Sequence, residues 1–435
     1  MKFFLVKPAL NGIRGQITLP GDKSIAHRSI ILSAISQGKT RLDNIPANKD
    51  CQATIQAFKK LGVRIIKNTV LGKGLYALRQ PAVPVFVSDS GTTLRLILGV
   101  LAGQNFKVAL KGGKSLSKRP MLRVTAPLRM MGAKICARRA KLDEYLPVTI
   151  RGGKLRSITY KMPVPSAQVK SAILLAGLYA HGKTCVVEPI KTRDHTERLL
   201  KLFKADIKHK GNKVVIKGGQ QLVAPGKIYI PGDISSASFF LVLAAILPNS
   251  HILIKKVSLN PSRLGIVRIL KRMGASLTIH NLQLTTIEYE PIGDITVRTS
   301  RLKGTVVKRE EIPALIDELP ILMVAASFAH GKTLFQGVGE LRIKETDRIK
   351  SMSDNLKKMG VQIEVIPSRG SEDVVVRGVR RLVGAKVSSY GDHRTAMSMV
   401  VAGLAAECPT TIDDISCISK SFPEFLQVLK GLIRK

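Results

Sequence analysis

Two hydrophobic patterns alternate along this chain. The first is an amphipathic helix end followed by a short strand, with a glycine between them in most copies. It occurs at Phe58–Ile65 (FKKLGVRI), Leu128–Ile135 (LRMMGAKI), Leu200–Ile207 (LKLFKADI), Leu270–Leu277 (LKRMGASL) and Leu356–Ile363 (LKKMGVQI), and more weakly at Leu426–Leu432 (LQVLKGL). The glycine falls where a helix C′ residue adopts positive φ, and the small or β-branched residue after it suits a strand start. Successive copies lie about 70 to 86 residues apart.

The second pattern is a polar cap, a helix apolar nearly all round, a glycine turn and a strand. Its copies begin at Ser24, Ser90, Ser166, Ser235, Asp317 and Asp392. Three of them end alike, at Gln37–Thr40, His181–Thr184 and His330–Thr333. A helix with no polar face predicts burial. Six helix–strand–helix–strand units cannot each bury their own faces, so the pattern predicts an α/β protein with three units in each of two lobes. Pseudo-symmetry makes the buried helices of a lobe parallel, with their capped ends pointing toward an interdomain cleft of positive potential.

Those caps hold Lys23, Ser24, Arg28, Ser90, Gly91, Thr92, Ser166, Gln168, Asp317, Glu318, Asp392, His393 and Arg394, a set enriched in types that bind phosphate and carboxylate. The densest stretch is Pro20–Arg28 (PGDKSIAHR), where a Pro-Gly turn precedes Asp22 or Ser24 as N-cap and an apolar helix follows. Its free N–H groups and dipole favour an anion, and Lys23 with Arg28 completes an oxyanion-binding corner.

Composition changes this picture little. At 435 residues there is room for two cores. Five scattered cysteines without a C-x-x-C pair fit neither a disulfide framework nor a zinc site, which implies a reducing compartment. The longest apolar run, Phe239–Leu247, is too short for a bilayer, and the amino terminus does not read as a signal peptide. The chain is expected to be cytoplasmic. The formal charge of +40 is spread evenly, and the absence of Trp with 4% aromatics argues against a base-stacking nucleic-acid binder.

Ten motifs then follow one another in one order: Pro20–Arg28, Ser90–Arg95, Lys118–Met121, Ser166–Lys170, Arg193–Glu197, Gly232–Ala237, Asn260–Arg263, Arg342–Arg348, Asp392–Arg394 and Lys420–Pro423. In these the chain resembles the EPSP synthase (3-phosphoshikimate 1-carboxyvinyltransferase) family over essentially its whole length, in a version that looks like the class II bacterial subtype. The resemblance implies the two-lobed enolpyruvyl transferase fold, an inside-out α/β barrel. One lobe, with repeats 1–3, takes residues 21–233; the other, with repeats 4–6, takes 1–20 and 234–435. It implies transfer of enolpyruvyl from phosphoenolpyruvate to the 5-hydroxyl of shikimate 3-phosphate, with no metal or organic cofactor. The expected partners are these small molecules, with no dedicated nucleic acid, no membrane and a monomeric chain.

By that resemblance Lys23, Gly91, Arg119, Gln168, Arg348, Arg394 and Lys420 surround phosphoenolpyruvate. Lys23, Ser24, Arg28, Ser166, Ala167, Gln168, Asp317 and Lys344 hold shikimate 3-phosphate, with Arg193 as a weaker candidate. Asp317 is the expected general base, and Glu345 and Lys23 are the candidates for proton delivery. Surrounding cations would depress the Lys23 pKa. His27 and His195 are expected to pack, His393 to line the site, Asp194 and Glu197 to orient Arg193 or Arg198, and Ser235 and Ser236 to be structural. Gly91 leaves space that implies sensitivity to glyphosate. Ser88-Asp89, Gly391, Thr395 and Ser262 depart from the family pattern. The rivals are UDP-N-acetylglucosamine enolpyruvyl transferase, whose reactive loop cysteine has no counterpart in Gly112–Pro120, and a basic non-catalytic polyanion-binding protein.

Overall fold

The computed structural model describes residues 3–9, 11–140, 142–284, 289–368 and 370–433. Twelve α-helices lie among the described residues, and they alternate in kind. The nearly all-apolar ones are α1 (Lys23–Ile35), α3 (Gly91–Leu101), α5 (Ala167–Gly177), α7 (Ile234–Ile246), α9 (Leu319–Ser327) and α11 (His393–Leu404). Each is buried along almost its entire length. The amphipathic ones are α2 (Lys49–Lys60), α4 (Leu122–Met130), α6 (His195–Leu202), α8 (Gly265–Arg272), α10 (Arg348–Lys358) and α12 (Phe425–Leu432).

Most repeats build the same four-stranded sheet. The strand after the buried helix runs parallel to a strand borrowed from elsewhere and antiparallel to a hairpin strand from its own repeat. Thus 37–43 pairs parallel with 226–229 and antiparallel with 69–73, and 107–111 pairs likewise with 85–86 and 143–151. The sixth sheet has three strands, with Phe4–Val6 as the antiparallel partner of Thr410–Ile412. This explains the weak sixth phrase: Gly431 lies inside α12, and among the described residues no strand of its own follows. The third phrase lacks glycine, yet Lys204 still takes the left-handed conformation at φ 65, as do Gly62, Gly132, Gly274 and Gly360 in the other copies.

Contacts divide the chain into one unit of Gly21–Ile230 and Leu284–Glu290, and another of Met1–Pro20, Pro231–Gln283 and Pro291–Lys435. Leu284, Tyr289 and Glu290, assigned from sequence to the second lobe, fall with the first. The Tyr289 hydroxyl donates to the Tyr229 carbonyl (3.0 Å), and the Glu290 carboxylate lies 2.5 Å from His195 Nδ1 with both side chains fully buried. Each unit has its own core. In the first, α3 and α5 approach so closely that a Cβ on Gly99 would sit 2.3 Å from the Ala172 carbonyl oxygen. In the second, Phe239 and Phe240 of α7 meet Phe422 and Phe425 edge-on, anchoring the segment that carries Lys420.

The helix caps follow from local chemistry, with two shifts. Asp22, Ser90, Ser166 and Asp392 accept first-turn N–H groups. α7, however, is capped by Asp233 rather than Ser235, and α9 starts behind Glu318 rather than Asp317 without a side-chain cap.

Part of the positive charge has a definite address. The central strands that start at Lys107, Lys183 and Lys332 place that first residue directly opposite Arg151, Lys217 and Arg377, all exposed. Each strand follows a buried helix whose negative dipole end favours cations. Like charges directly opposite are nonetheless repulsive, at roughly 0.2–1 kcal/mol per pair. Arg151 is flanked by Lys107 on one side and Lys134 on the other. Arg151→Glu should therefore stabilise the protein by about 0.5–1 kcal/mol at low salt, with most of the gain gone near 0.5 M salt, on the order of a 4 Å screening length. Urea unfolding at two ionic strengths checks this, and a destabilised variant would refute it.

Candidate active site

The expected site residues fall into two sets, one in each unit. Lys23, Ser24, Arg28, Gly91, Arg119, Ser166, Ala167 and Gln168 belong to the unit of Gly21–Ile230; Asp317, Lys344, Glu345, Arg348, Arg394 and Lys420 belong to the other.

In the first unit the starts of α1, α3 and α5 are tied together by polar side chains. Arg28, on the second turn of α1, donates from Nε to the Thr196 hydroxyl (2.6 Å), from Nη2 to the Ser171 hydroxyl (2.9 Å) and from Nη1 to the Ser24 carbonyl (2.9 Å). Arg95 donates to Gln168 Oε1 (2.9 Å) and to the Pro120 carbonyl (3.2 Å), while Gln168 donates from Nε2 to the Thr92 hydroxyl (3.0 Å). This fixes both ends of the Gln168 amide. Gly91 opens α3, and a Cβ there would lie 2.7 Å from Arg95 Nη1 and 2.9 Å from Arg119 Nη1. The space expected beside Gly91 is thus filled by two guanidinium tips.

Asp89, one of the departures from the family pattern, accepts from the Leu116 N–H (3.0 Å) and braces the turn Leu116–Lys118 that leads to Arg119. Lys23 is not simply ringed by cations: its Nζ lies 3.0 Å from Asp50 Oδ2. His27 is fully buried, with Nδ1 2.6 Å from the Thr54 hydroxyl. Burial, then Lys23 and Arg28, hold it well below the usual histidine range, so it packs as a neutral ring.

Behind these caps, Lys170 is 1% exposed and reaches Glu197 at 2.6 Å and Glu188 at 3.0 Å. Burial opposes its charge, but the two carboxylates outweigh burial and raise its pKa. Glu197 therefore serves Lys170 rather than orienting an arginine, whereas Asp194 does hold Arg198 (2.8 Å).

In the second unit the helix starts carry carboxylates locked to buried guanidiniums. Arg348 is 1% exposed and donates to Asp392 (3.0 Å) and Glu345 (2.6 Å), with Asp317 at 3.6 Å. Burial works against its charge, yet Asp392, Glu345 and Asp317 hold it firmly protonated. Arg394 donates to the Asp317 carbonyl (2.8 Å) and lies 3.7 Å from its carboxylate. Asp317 is thus oriented by two arginines. Lys420 donates to the Gly391 carbonyl (3.2 Å), and Gly391 has φ 65, the left-handed turn that suits glycine at this departure.

The other departures also find partners: Thr395 meets the Ser351 hydroxyl (3.0 Å), and Ser262 donates to Asn260 Oδ1 (2.7 Å). Ser235 is structural as expected, accepting from buried Arg263 (2.6 Å) and donating to Glu318. Burial pushes the Cys417 thiol up to about 11, so it stays protonated near neutrality. Arg95, Thr196, Asp50 and Arg263 were missed as site-builders, although Arg95, Thr196 and Arg263 lie inside motifs.

A family model described as EPSP synthase (3-phosphoshikimate 1-carboxyvinyltransferase) matches residues 9–429. Relatives named 3-phosphoshikimate 1-carboxyvinyltransferase include one from Bacillus cereus, 44% identical over 438 residues, and one from a Geobacter species, 46% identical over 439 residues. Both alignments cover 100% of each chain. A solved structure of EPSP synthase from Acinetobacter baumannii superposes with a TM-score of 0.85 at 42% identity, covering 99% of this chain and 98% of that one.

Proposed function

The chain belongs to the EPSP synthase (3-phosphoshikimate 1-carboxyvinyltransferase) family, and we propose that its two charged clusters divide the work of that reaction. The activity is transfer of the enolpyruvyl group of phosphoenolpyruvate to the 5-hydroxyl of shikimate 3-phosphate, with release of phosphate, in the shikimate pathway. No described helix is long and apolar enough to cross a membrane.

The observation that carries the division is the contrast between the two sets of helix starts. Those of Gly21–Ile230 present hydroxyls, an amide and cations; those of the other unit present carboxylates gripped by arginines. Ser24, Arg28, Ser166, Gln168 and the backbone of Ala167 suit a phosphate and ring hydroxyls, with Lys344 and Asp317 on the same substrate. Lys23, Gly91, Arg119 and Gln168, with Arg348, Arg394 and Lys420, suit the phosphate and carboxylate of phosphoenolpyruvate, because the guanidinium fork pairs bidentately with either group.

The acceptor oxygen bonds to C2 of phosphoenolpyruvate as Asp317 takes its proton, while C3 gains one from Glu345 or Lys23. The C2–O bond to phosphate then breaks, and the methyl carbon returns a proton to regenerate the vinyl group. Aligning two bound anions can supply about 7–11 kcal/mol, more than one acid–base group at roughly 10²- to 10⁴-fold, so positioning dominates. The same reading takes the enzyme as a class II-like, cytoplasmic monomer that needs no cofactor or nucleic acid.

Phosphate release separates the readings. It should require shikimate 3-phosphate and be absent with UDP-N-acetylglucosamine; release only with the sugar nucleotide, or with neither acceptor, would overturn this function.

A further inference from the structure

We propose that Thr196 is a positioning residue that fixes the guanidinium of Arg28 for shikimate 3-phosphate. The inference rests on the reading of Arg28 as a ligand of that substrate. Thr196 opens the second position of α6, is 1% exposed, and sits between Arg28 on α1 and Ser171 on α5.

The hydrogen count leaves one arrangement. The single Ser171 hydrogen goes to the Ala167 carbonyl (2.6 Å). The 2.6 Å contact between Ser171 and Thr196 must then be donated by Thr196. The Thr196 oxygen is left as the acceptor for Arg28 Nε at 2.6 Å, and Ser171 accepts from Arg28 Nη2 at 2.9 Å. One edge of the planar guanidinium is thus held at two points by hydroxyls whose own protons are committed elsewhere. Rotation of the fork would break both bonds in a buried site, where unmade polar pairs are costly.

α6 is itself pinned on either side of Thr196. His195 meets Glu290 at 2.5 Å, and Glu197 meets Lys170 at 2.6 Å, all four side chains being at most 1% exposed. Three consecutive residues of the Arg193–Glu197 motif therefore anchor three different segments. The middle one reaches an expected substrate ligand.

The test is steady-state kinetics on the full enzyme. Thr196→Val keeps the shape and removes the hydroxyl; it should raise KM for shikimate 3-phosphate about tenfold, as loss of a hydrogen bond to a charged group does. KM for phosphoenolpyruvate and kcat should stay within about twofold, and Thr196→Ser should restore the original values. Ser171→Ala, which removes the second hydroxyl, should move the same constant in the same direction. In an Arg28→Ala background, Thr196→Val should have no further effect on that KM.

A Thr196→Val enzyme with unchanged KM for shikimate 3-phosphate, or an effect fully additive with Arg28→Ala, overturns the positioning role. If Arg28→Ala itself leaves that KM unchanged, the reading of Arg28 as a ligand fails, and the proposal with it.

Discussion

Arg348→Lys is expected to lower kcat by about 10²- to 10⁴-fold while leaving the protein folded, the range associated with misplacing positioned acid–base groups. The native guanidinium spans three carboxylates, at 2.6 Å from Glu345, 3.0 Å from Asp392 and 3.6 Å from Asp317. An ammonium keeps the buried positive charge, so the carboxylates are not left uncompensated. It is a point charge with three donors, however, and cannot fill a planar fork that reaches three partners at fixed angles. Asp317 and Glu345 would each lose one fixed neighbour, and Asp392, which caps α11 through the Arg394 and Thr395 N–H groups, would shift with them. Because these groups act as a unit, Asp317→Asn in the Arg348→Lys background should cost much less than in the wild type. Phosphate release at saturating substrates gives kcat, and thermal unfolding shows whether the fold survives. A kcat within about threefold of wild type in a folded variant would contradict the assigned role of Arg348.

The features legible in the chain are those set by neighbours in sequence. Asp22, Ser90, Ser166 and Asp392 cap their helices because the bond spans only two or three residues. Ser235 looked like a cap by the same rule, but Arg263 and Glu318 claim its hydroxyl, and both are remote in sequence. The polar ties behave the same way. Arg28 and Thr196 are 168 residues apart and Arg95 and Gln168 are 73 apart, so no local spacing pairs them. Lys23 illustrates the consequence: its first turn shows only cations, and the counter-charge arrives from Asp50 on α2. The same holds for Tyr289 and Glu290, which no break in composition marks and which join Gly21–Ile230 through Tyr229 and His195. Repeat periodicity exposes the layers, because every unit must bury the same two helix faces, whereas a guanidinium that binds remote helices leaves no periodic trace.

Lys170→Met should destabilise the protein by about 3–5 kcal/mol, the cost of removing one partner from a buried ionic cluster. Lys170 is the cation between Glu188 and Glu197, and all three side chains are at most 4% exposed. Glu188 is further occupied by the Thr192 N–H (2.9 Å) and hydroxyl (2.5 Å), so it has fixed donors when Lys170 is gone; Glu197 depends far more on the ammonium. The pH dependence identifies the cause. Burial already raises the Glu197 carboxyl above its usual value near 4.5, with Lys170 pulling it back. An acid whose folded pKa is raised binds more protons in the native state, so its contribution to stability falls as pH rises above the unfolded value. Without Lys170 that shift grows, and the loss is largest at neutral and alkaline pH and smallest near pH 5, where Glu197 can take up a proton. Urea unfolding at pH 5 and at pH 8 should show this gap, and Glu197→Gln added to Lys170→Met should recover most of the stability lost at pH 8. A destabilisation equal at both values would assign the loss to packing of the lysine stem instead of to a stranded carboxylate.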